Sequence, residues 1–189
     1  HVAKLINETR EASHFGLTFD EPKIDLDRVR QSTKDVVSQM TGGLGQLCKS
    51  RNVKFVKGRA FFEDNKTLTI YEDDVTEETL EFEHAIIAAG SRPAMFGPLI
   101  DSPRIMNSTG ALEMKEIPET MLVIGGGYIG LELGSVYAAF GSEVTVVEAM
   151  DGLLMGADRD LVRPLETRLR DKFHDILLST KVMEMKEQK

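Results

Sequence analysis

Apolar residues at Leu26, Val29, Val36, Val37, Met40, Leu44 and Leu47 recur at helical spacing, so Asp25–Asn52 reads as one long helix. Pro22 precedes it and Asp25 takes the N-cap position. The helix contains "TGGLG", and each interior glycine costs about 1 kcal/mol relative to alanine. That stretch marks either a helix break or a face that closely approaches another backbone or a flat cofactor. Ahead of it, Val2, Leu5 and Ile6 set an amphipathic pattern already under way at His1. No methionine opens the chain, and "VMEMKEQK" ends it without a cap or turn. Both ends read as cuts, which makes this the expected central portion of a longer protein.

The pattern then changes period. Lys54–Val56, Ala60–Phe62, Thr67–Tyr71 and Thr79–Phe82 are short alternating runs between polar turns, which predicts an antiparallel meander. The acidic "YEDDVTEE" reads as a solvated hairpin tip within it. "HAIIAAG", His84–Gly90, is continuously apolar and predicts a buried parallel strand covered on both faces. It ends in small residues, where a backbone or ligand can come close. Ser91–Thr120 carries Pro93, Pro98, Pro103 and Pro118 and reads as a connector at a domain boundary, with 1–93 on one side and 94–189 on the other.

Beyond the connector the order is strand, glycine turn, helix, strand: Met121–Ile124, then Tyr128–Phe140 closed by Gly141, then Glu143–Glu148. Asp158 caps a further helix with Leu161, Val162, Leu165 and Leu169 on one face. Pro164 sits in that face and predicts a kink or a delayed start. The fold class is α/β: a long helix and antiparallel meander, followed by a Rossmann βαβ unit.

Composition narrows the function classes. With 189 residues, 41% hydrophobic and 29% charged, the chain fits a globular class of one domain or two small ones. A formal charge of −8 argues against nucleic acid, whose binding rests on basic clusters. The apolar runs are too short to cross a bilayer. No signal peptide is readable, and one cysteine builds no disulfide framework, so a reducing, cytoplasmic location is expected.

The chemistry lies in "VIGGGYIGLELG". Gly125-x-Gly127-x-x-Gly130 alone is a weak signal, but here an apolar strand precedes it and an amphipathic helix follows. Glu148 ends the next strand, 23 residues beyond Gly125. Gly125 permits a tight turn, Gly127 lets the backbone approach a pyrophosphate, and Gly130 lets helix and strand pack closely. Gly134, one turn on, extends that packing. Free N–H groups and the positive end of the helix dipole then hold the phosphates. The Glu148 carboxylate accepts from ribose hydroxyls and repels a 2′-phosphate, and the following "AMDG" offers no arginine or lysine. The expected nucleotide is NAD rather than NADP.

"HAIIAAGSRP", "DSPRIMNSTGALEMKEIPETMLVIGGGYIGLELGSVY", "GSEVTVVE", "GADRDLV" and "QMTGGLGQL" together resemble the dihydrolipoamide dehydrogenase family, the bacterial enzymes above all. The likeness covers essentially the whole chain. It implies a partial FAD-binding domain over 1–93 and a partial NAD-binding domain over 94–189. It also implies oxidation of dihydrolipoamide through a redox disulfide and FAD, with reduction of NAD. The implied partners are the lipoyl domains of 2-oxoacid dehydrogenase complexes, and the implied parent is a homodimer. Residue by residue, the resemblance gives Gly125, Gly126, Gly127, Tyr128 and Ile129 to the NAD pyrophosphate, Glu148 to the adenosine ribose and Val182 to the adenine end. Ala60 matches an FAD backbone contact, and Ala88, Ala89, Gly90 and Ser91 match the segment closing over the flavin. Tyr128 and Glu132, one turn apart on a helix face, fall where related reductases receive the nicotinamide.

Other features of the family's pattern do not occur in this sequence: the FAD glycine motif, the two redox cysteines and the C-terminal His–Glu pair. The sequence assigns no catalytic residue, and the chain by itself is expected to be inactive. A Cys-x4-Cys segment is expected just upstream of His1. Cys48 stands alone and reads as a packing residue. His14, His84 and His174 are scattered without metal-ligand spacing, so no metal site is expected. Two alternatives stay open: another flavin disulfide reductase of glutathione or mercuric reductase type, against which Glu148 weighs, and a non-catalytic NAD-binding module.

Overall fold

In the computed structural model, residues 1–73, 77–95 and 100–187 are described. They form two compact units, His1–Gln31 with Pro93–Lys189, and Ser32–Arg92.

The first unit is built on a parallel sheet of β4 (Thr120–Ile124), β5 (Glu143–Val147) and β6 (Asp175–Leu177), in the order β4-β5-β6. β5 is central, with Val123 opposite Val146 on one side and Val146 opposite Ile176 on the other. Its run "VTVV" suits that position: Val144 and Val146 are fully buried, and Val147 is buried on the opposite face. Each such side chain contributes roughly 1.5–3 kcal/mol by leaving water. Helix α4 (Tyr128–Phe140) has the expected limits and ends on Gly141 in the left-handed region, φ 111°. It buries Leu131, Gly134, Tyr137 and Ala139. The Tyr137 hydroxyl donates to the Ala111 carbonyl at 2.9 Å. Burial, with the nearby Glu116 charge second, raises the Tyr137 phenol above its ordinary pKa.

Helix α1 (Val2–Glu11) packs on α4, burying Ile6, and Arg10 Nη1 donates to the Ala139 carbonyl at 3.1 Å. Arg10 also pairs with Glu21 at 3.0 Å, which lowers the Glu21 pKa. The connector contains a helix absent from the sequence reading, α3 (Ser108–Glu113), whose first turn is capped by the Asn107 side chain accepting from Gly110 N–H at 3.0 Å. Pro98 and the centre of the acidic run, 74–76, lie outside the described residues.

Helix α5 (Arg159–Arg170) differs from expectation in three ways. Asp158 is at the N-cap, but its side chain caps no N–H. Val162 and Leu169 are buried, whereas Leu161 is 70% exposed and Leu165 sits at the margin. The inward stripe is therefore i, i+7, and Leu161 is off it. The helix also starts directly after Asp158 and continues through Pro164, so its start is not delayed. Pro164 and Asp160 are both exposed, so water can satisfy the Asp160 carbonyl that the missing proline N–H leaves free.

Helix α2 (Leu26–Ser50) gives its first residues to the first unit and the rest to the second. Asp25 caps it, its Oδ1 accepting from Arg28 N–H at 3.0 Å. The helix is continuous through 41–45, which removes the break reading of "TGGLG", and Gly42, Gly43 and Gly45 have no neighbour within 4 Å of a Cβ position. Its apolar residues Val36, Val37, Met40, Leu44 and Leu47 are exposed.

The second unit's sheet is a meander of β1 (Arg59–Phe62), β2 (Thr67–Tyr71) and β3 (Glu77–Glu81), both pairings antiparallel. Phe61 meets Tyr71 and Phe62 meets Phe82 edge to face, at ring separations of 5.8 and 5.9 Å. Residues 54–56 are not a strand. The stretch 84–90 corrects the expectation more fully: it is neither a strand nor buried, and Ile86 is 95% exposed. A strand covered on both faces needs partner strands and two covering layers, and the described residues supply none to it.

Candidate functional site

The turn between β4 and α4 is shaped by three glycines for three different reasons. Gly125 has φ 107°, a conformation that side chains disfavour, while its N–H still continues the sheet by donating to Val147 C=O at 2.8 Å. Gly130 is a packing glycine: a Cβ there would lie 2.5 Å from the Gly125 carbonyl oxygen and 3.0 Å from Val123. Gly134 likewise faces Phe173 at 3.3 Å and Val144 at 3.4 Å. Gly127, the N-cap of α4, differs from both, since nothing lies within 4 Å of its Cβ position. Space beside that backbone is open.

The helix's own hydrogen bonds begin with Leu131 N–H to Gly127 C=O at 3.1 Å. Helix geometry therefore leaves the N–H groups of Tyr128, Ile129 and Gly130 without an intrahelical acceptor, at the positive end of the dipole. Such an end suits a phosphate. Gly127 and Tyr128 are exposed, and Tyr128 is 67% exposed; Glu132, one turn on, is exposed as well.

Glu148 follows β5 and is half-buried. Its Oε2 accepts from Gly126 N–H at 2.6 Å and its Oε1 from Met150 N–H at 2.8 Å. A carboxylate has about four acceptor positions, so each oxygen keeps room for a hydroxyl donor. The Glu148 backbone is fixed too, N–H to Leu177 C=O and C=O from Thr180 N–H, both at 2.8 Å. Val182, half-buried, follows that second contact.

The chain thus brings together 125–130 and Glu148. Ala60, on β1, and 88–91 belong to the other compact unit; all five are exposed, and Gly90 has φ 73°. Small exposed residues leave room for a large ring system, but they offer no side-chain donor or charge apart from the Ser91 hydroxyl. Cys48 is a half-buried free thiol, and His14, His84 and His174 are exposed. Among the described residues, no cluster of His, Cys, Asp and Glu could hold a metal ion, and no helix is long and apolar enough to cross a membrane.

Sequence reasoning missed the loop 150–157 that lies against the turn. Leu154 N–H donates to Gly126 C=O at 2.9 Å, and Leu153 is fully buried with its Cδ2 2.5 Å from the Gly126 Cβ position. Arg159 donates to the carbonyls of Leu153, Leu154 and Ala157. The one available signal was a cation at the first residue of a helix, where the dipole disfavours it.

The family model for pyridine nucleotide-disulphide oxidoreductases matches residues 3–189. The chain is 47% identical over 184 residues to the dihydrolipoyl dehydrogenase of Haemophilus influenzae, covering 96% of this chain and 38% of that protein. It is 43% identical over 184 residues to that of Vibrio cholerae, with the same coverage of 96% and 38%. Among solved structures it is similar to the HOCl-induced flavoprotein disulfide reductase RclA of Escherichia coli, in its Cu(II) complex. The TM-score is 0.76 at 29% identity, over 98% of this chain and 40% of that one. The chain spans 38% of the length of these curated relatives.

Proposed function

The chain belongs to the pyridine nucleotide-disulphide oxidoreductase family, and from that premise we propose that it is the NAD-binding central part of a dihydrolipoamide dehydrogenase. One observation carries the reading: the open backbone at Gly127, on the N-terminus of α4, stands beside a carboxylate bonded to the next amide back. The N–H groups of Tyr128, Ile129 and Gly130 bind the pyrophosphate, and Glu148 receives the ribose hydroxyls. Val182 borders the adenine. Glu148 excludes a 2′-phosphate by charge, which favours NAD over NADP and weighs against a glutathione reductase type of activity.

In the parent enzyme FAD relays electrons from a dithiol to NAD. Ala60 and Ala88, Ala89, Gly90 and Ser91 would form one wall of its site. Residues 1–93 then belong to the flavin domain and 94–189 to the nucleotide domain. Tyr128 would border the nicotinamide, and Glu132 would accept a hydrogen bond from its carboxamide and so orient the ring. The parent is a cytoplasmic homodimer acting on lipoyl domains of 2-oxoacid dehydrogenase complexes.

Calorimetric titration of the chain with NAD and with NADP tests the nucleotide reading. NAD is expected to bind at least about tenfold more tightly, about 1.4 kcal/mol; equal affinities, or no binding of either, would overturn it. Lipoamide-dependent NADH formation by the longer parent protein tests the activity.

A further inference from the structure

Arg159 is the first residue of α5, where a cation meets the positive end of the helix dipole and gains nothing from it. Its guanidinium is committed instead to the backbone of the loop ahead. Nη1 donates to Leu153 C=O at 2.9 Å, Nη2 to Leu154 C=O at 2.8 Å and to Ala157 C=O at 2.9 Å, and Nε to Ala157 C=O at 3.2 Å. Gly152 makes way for it, since a Cβ there would lie 2.7 Å from Nη1. A planar fork of fixed donors reaches three carbonyls spread along the loop, a shape that the compact ammonium of a lysine does not match.

The loop so gathered carries strain at one residue: Leu154 has φ 51°, a left-handed conformation that a leucine side chain opposes, whereas Gly156, at φ 91°, turns without that cost. From that shape the loop grips the glycine turn at several points. Leu154 N–H holds the Gly126 carbonyl at 2.9 Å, the buried Leu153 side chain lies against Gly126, and Met150 N–H holds Glu148 Oε1 at 2.8 Å. Gly126 and Glu148 are therefore braced from behind by one loop, and Arg159 ties that loop together.

We propose that Arg159 is a positioning residue for the dinucleotide site: it holds 153–157 in the strained form that pre-sets Gly126 and Glu148 for the adenosine half of the ligand. This rests on the reading that 125–130 binds NAD. Arg159 itself touches no nucleotide; its effect passes through Leu153 and Leu154.

The test compares the chain with its Arg159→Ala variant by residue-resolved amide exchange and by titration with NAD and ADP-ribose. The Leu154 amide is expected to exchange at least about tenfold faster in the variant, while Val146 in the sheet core keeps its protection. NAD and ADP-ribose are expected to weaken by the same factor, about five- to thirtyfold, because the affected half is common to both. Unchanged Leu154 exchange, or loss of Leu154 and Val146 protection together, overturns the proposal; so does wild-type affinity for both ligands. If the unaltered chain binds neither ligand, the nucleotide reading falls, and with it the positioning role, whereas the exchange measurement still decides whether Arg159 organises the loop.

Discussion

Glu148 Oε2 accepts the Gly126 N–H at 2.6 Å, tying the end of β5 to the turn that follows β4. The carboxylate proposed to select the ribose also braces the phosphate loop. Glu148→Gln keeps one acceptor oxygen for two backbone N–H groups, the part-buried Gly126 and the exposed Met150, so one bond is lost and the other gives up its charged acceptor, at about 1 kcal/mol. Denaturant unfolding of the variant should show a lower midpoint at an unchanged slope. An unaltered midpoint would mean that the contact contributes nothing.

Nucleotide choice is read as a ratio, in which a loss of bracing common to both nucleotides cancels. In the parent enzyme, Glu148→Ala combined with Met150→Arg removes the charge that repels a 2′-phosphate and supplies one that attracts it. The ratio of kcat/KM for NAD to that for NADP should fall about tenfold to a hundredfold, about 1.4–3 kcal/mol. An unchanged ratio assigns Glu148 to bracing alone.

Tyr137 offers a test of the core beneath the site. Its hydroxyl donates to Ala111 C=O at 2.9 Å, with Tyr137 only 1% exposed. Tyr137→Phe leaves that carbonyl only the longer bond from Met114 N–H, at 3.3 Å, and should cost about 0.5–1.5 kcal/mol, read as a lower melting temperature. A neutral result would mean water replaces the hydroxyl.

The parallel-sheet unit was legible in the sequence because its determinants are local. Gly127 and Gly141 bracket α4, and a run of β-branched residues marks β5. β6 escaped because it is three residues long and buries only Ile176, too little for a period. Residues 84–90 show the limit of hydrophobic pattern: it states what a segment requires to be buried, not whether the neighbours are present. Arg159 left only a faint mark, a cation at a helix start, for another reason. Its partners are carbonyls, which every residue has, so no residue type at any spacing announces them.

Acid should loosen the packing of the N-terminal segment. The Arg10 guanidinium hydrogen-bonds Glu21 and holds its carboxyl below the ordinary value of 4.5. The folded state thus favours deprotonated Glu21, and that contribution is present above about pH 4.5 and lost as pH falls through the lowered folded value. Glu21 is fully exposed, so the effect is small. In Glu21→Gln, stability should fall less between pH 5 and pH 3 than in the unaltered chain, each monitored by unfolding at matched salt. Parallel pH profiles would remove the pair from the account.

Gly127 and Gly130 make a discriminating pair, because the same substitution meets opposite surroundings three residues apart. A Cβ on Gly130 would lie 2.5 Å from the Gly125 carbonyl oxygen, and that backbone cannot swing away as a side-chain end could. Gly130→Ala should therefore distort the turn, destabilise the chain by about 1–3 kcal/mol and weaken NAD together. A Cβ on Gly127 meets nothing within 4 Å, and φ −78° suits alanine. Gly127→Ala should lose no more than about 1 kcal/mol, the difference between glycine and alanine at an N-cap. Its methyl group would nevertheless occupy the approach to the α4 N-terminus and weaken NAD at least about tenfold. Calorimetric titration beside thermal unfolding separates the two. If Gly127→Ala binds NAD normally, the pyrophosphate does not pass beside that backbone, and the nucleotide must lie elsewhere on the turn.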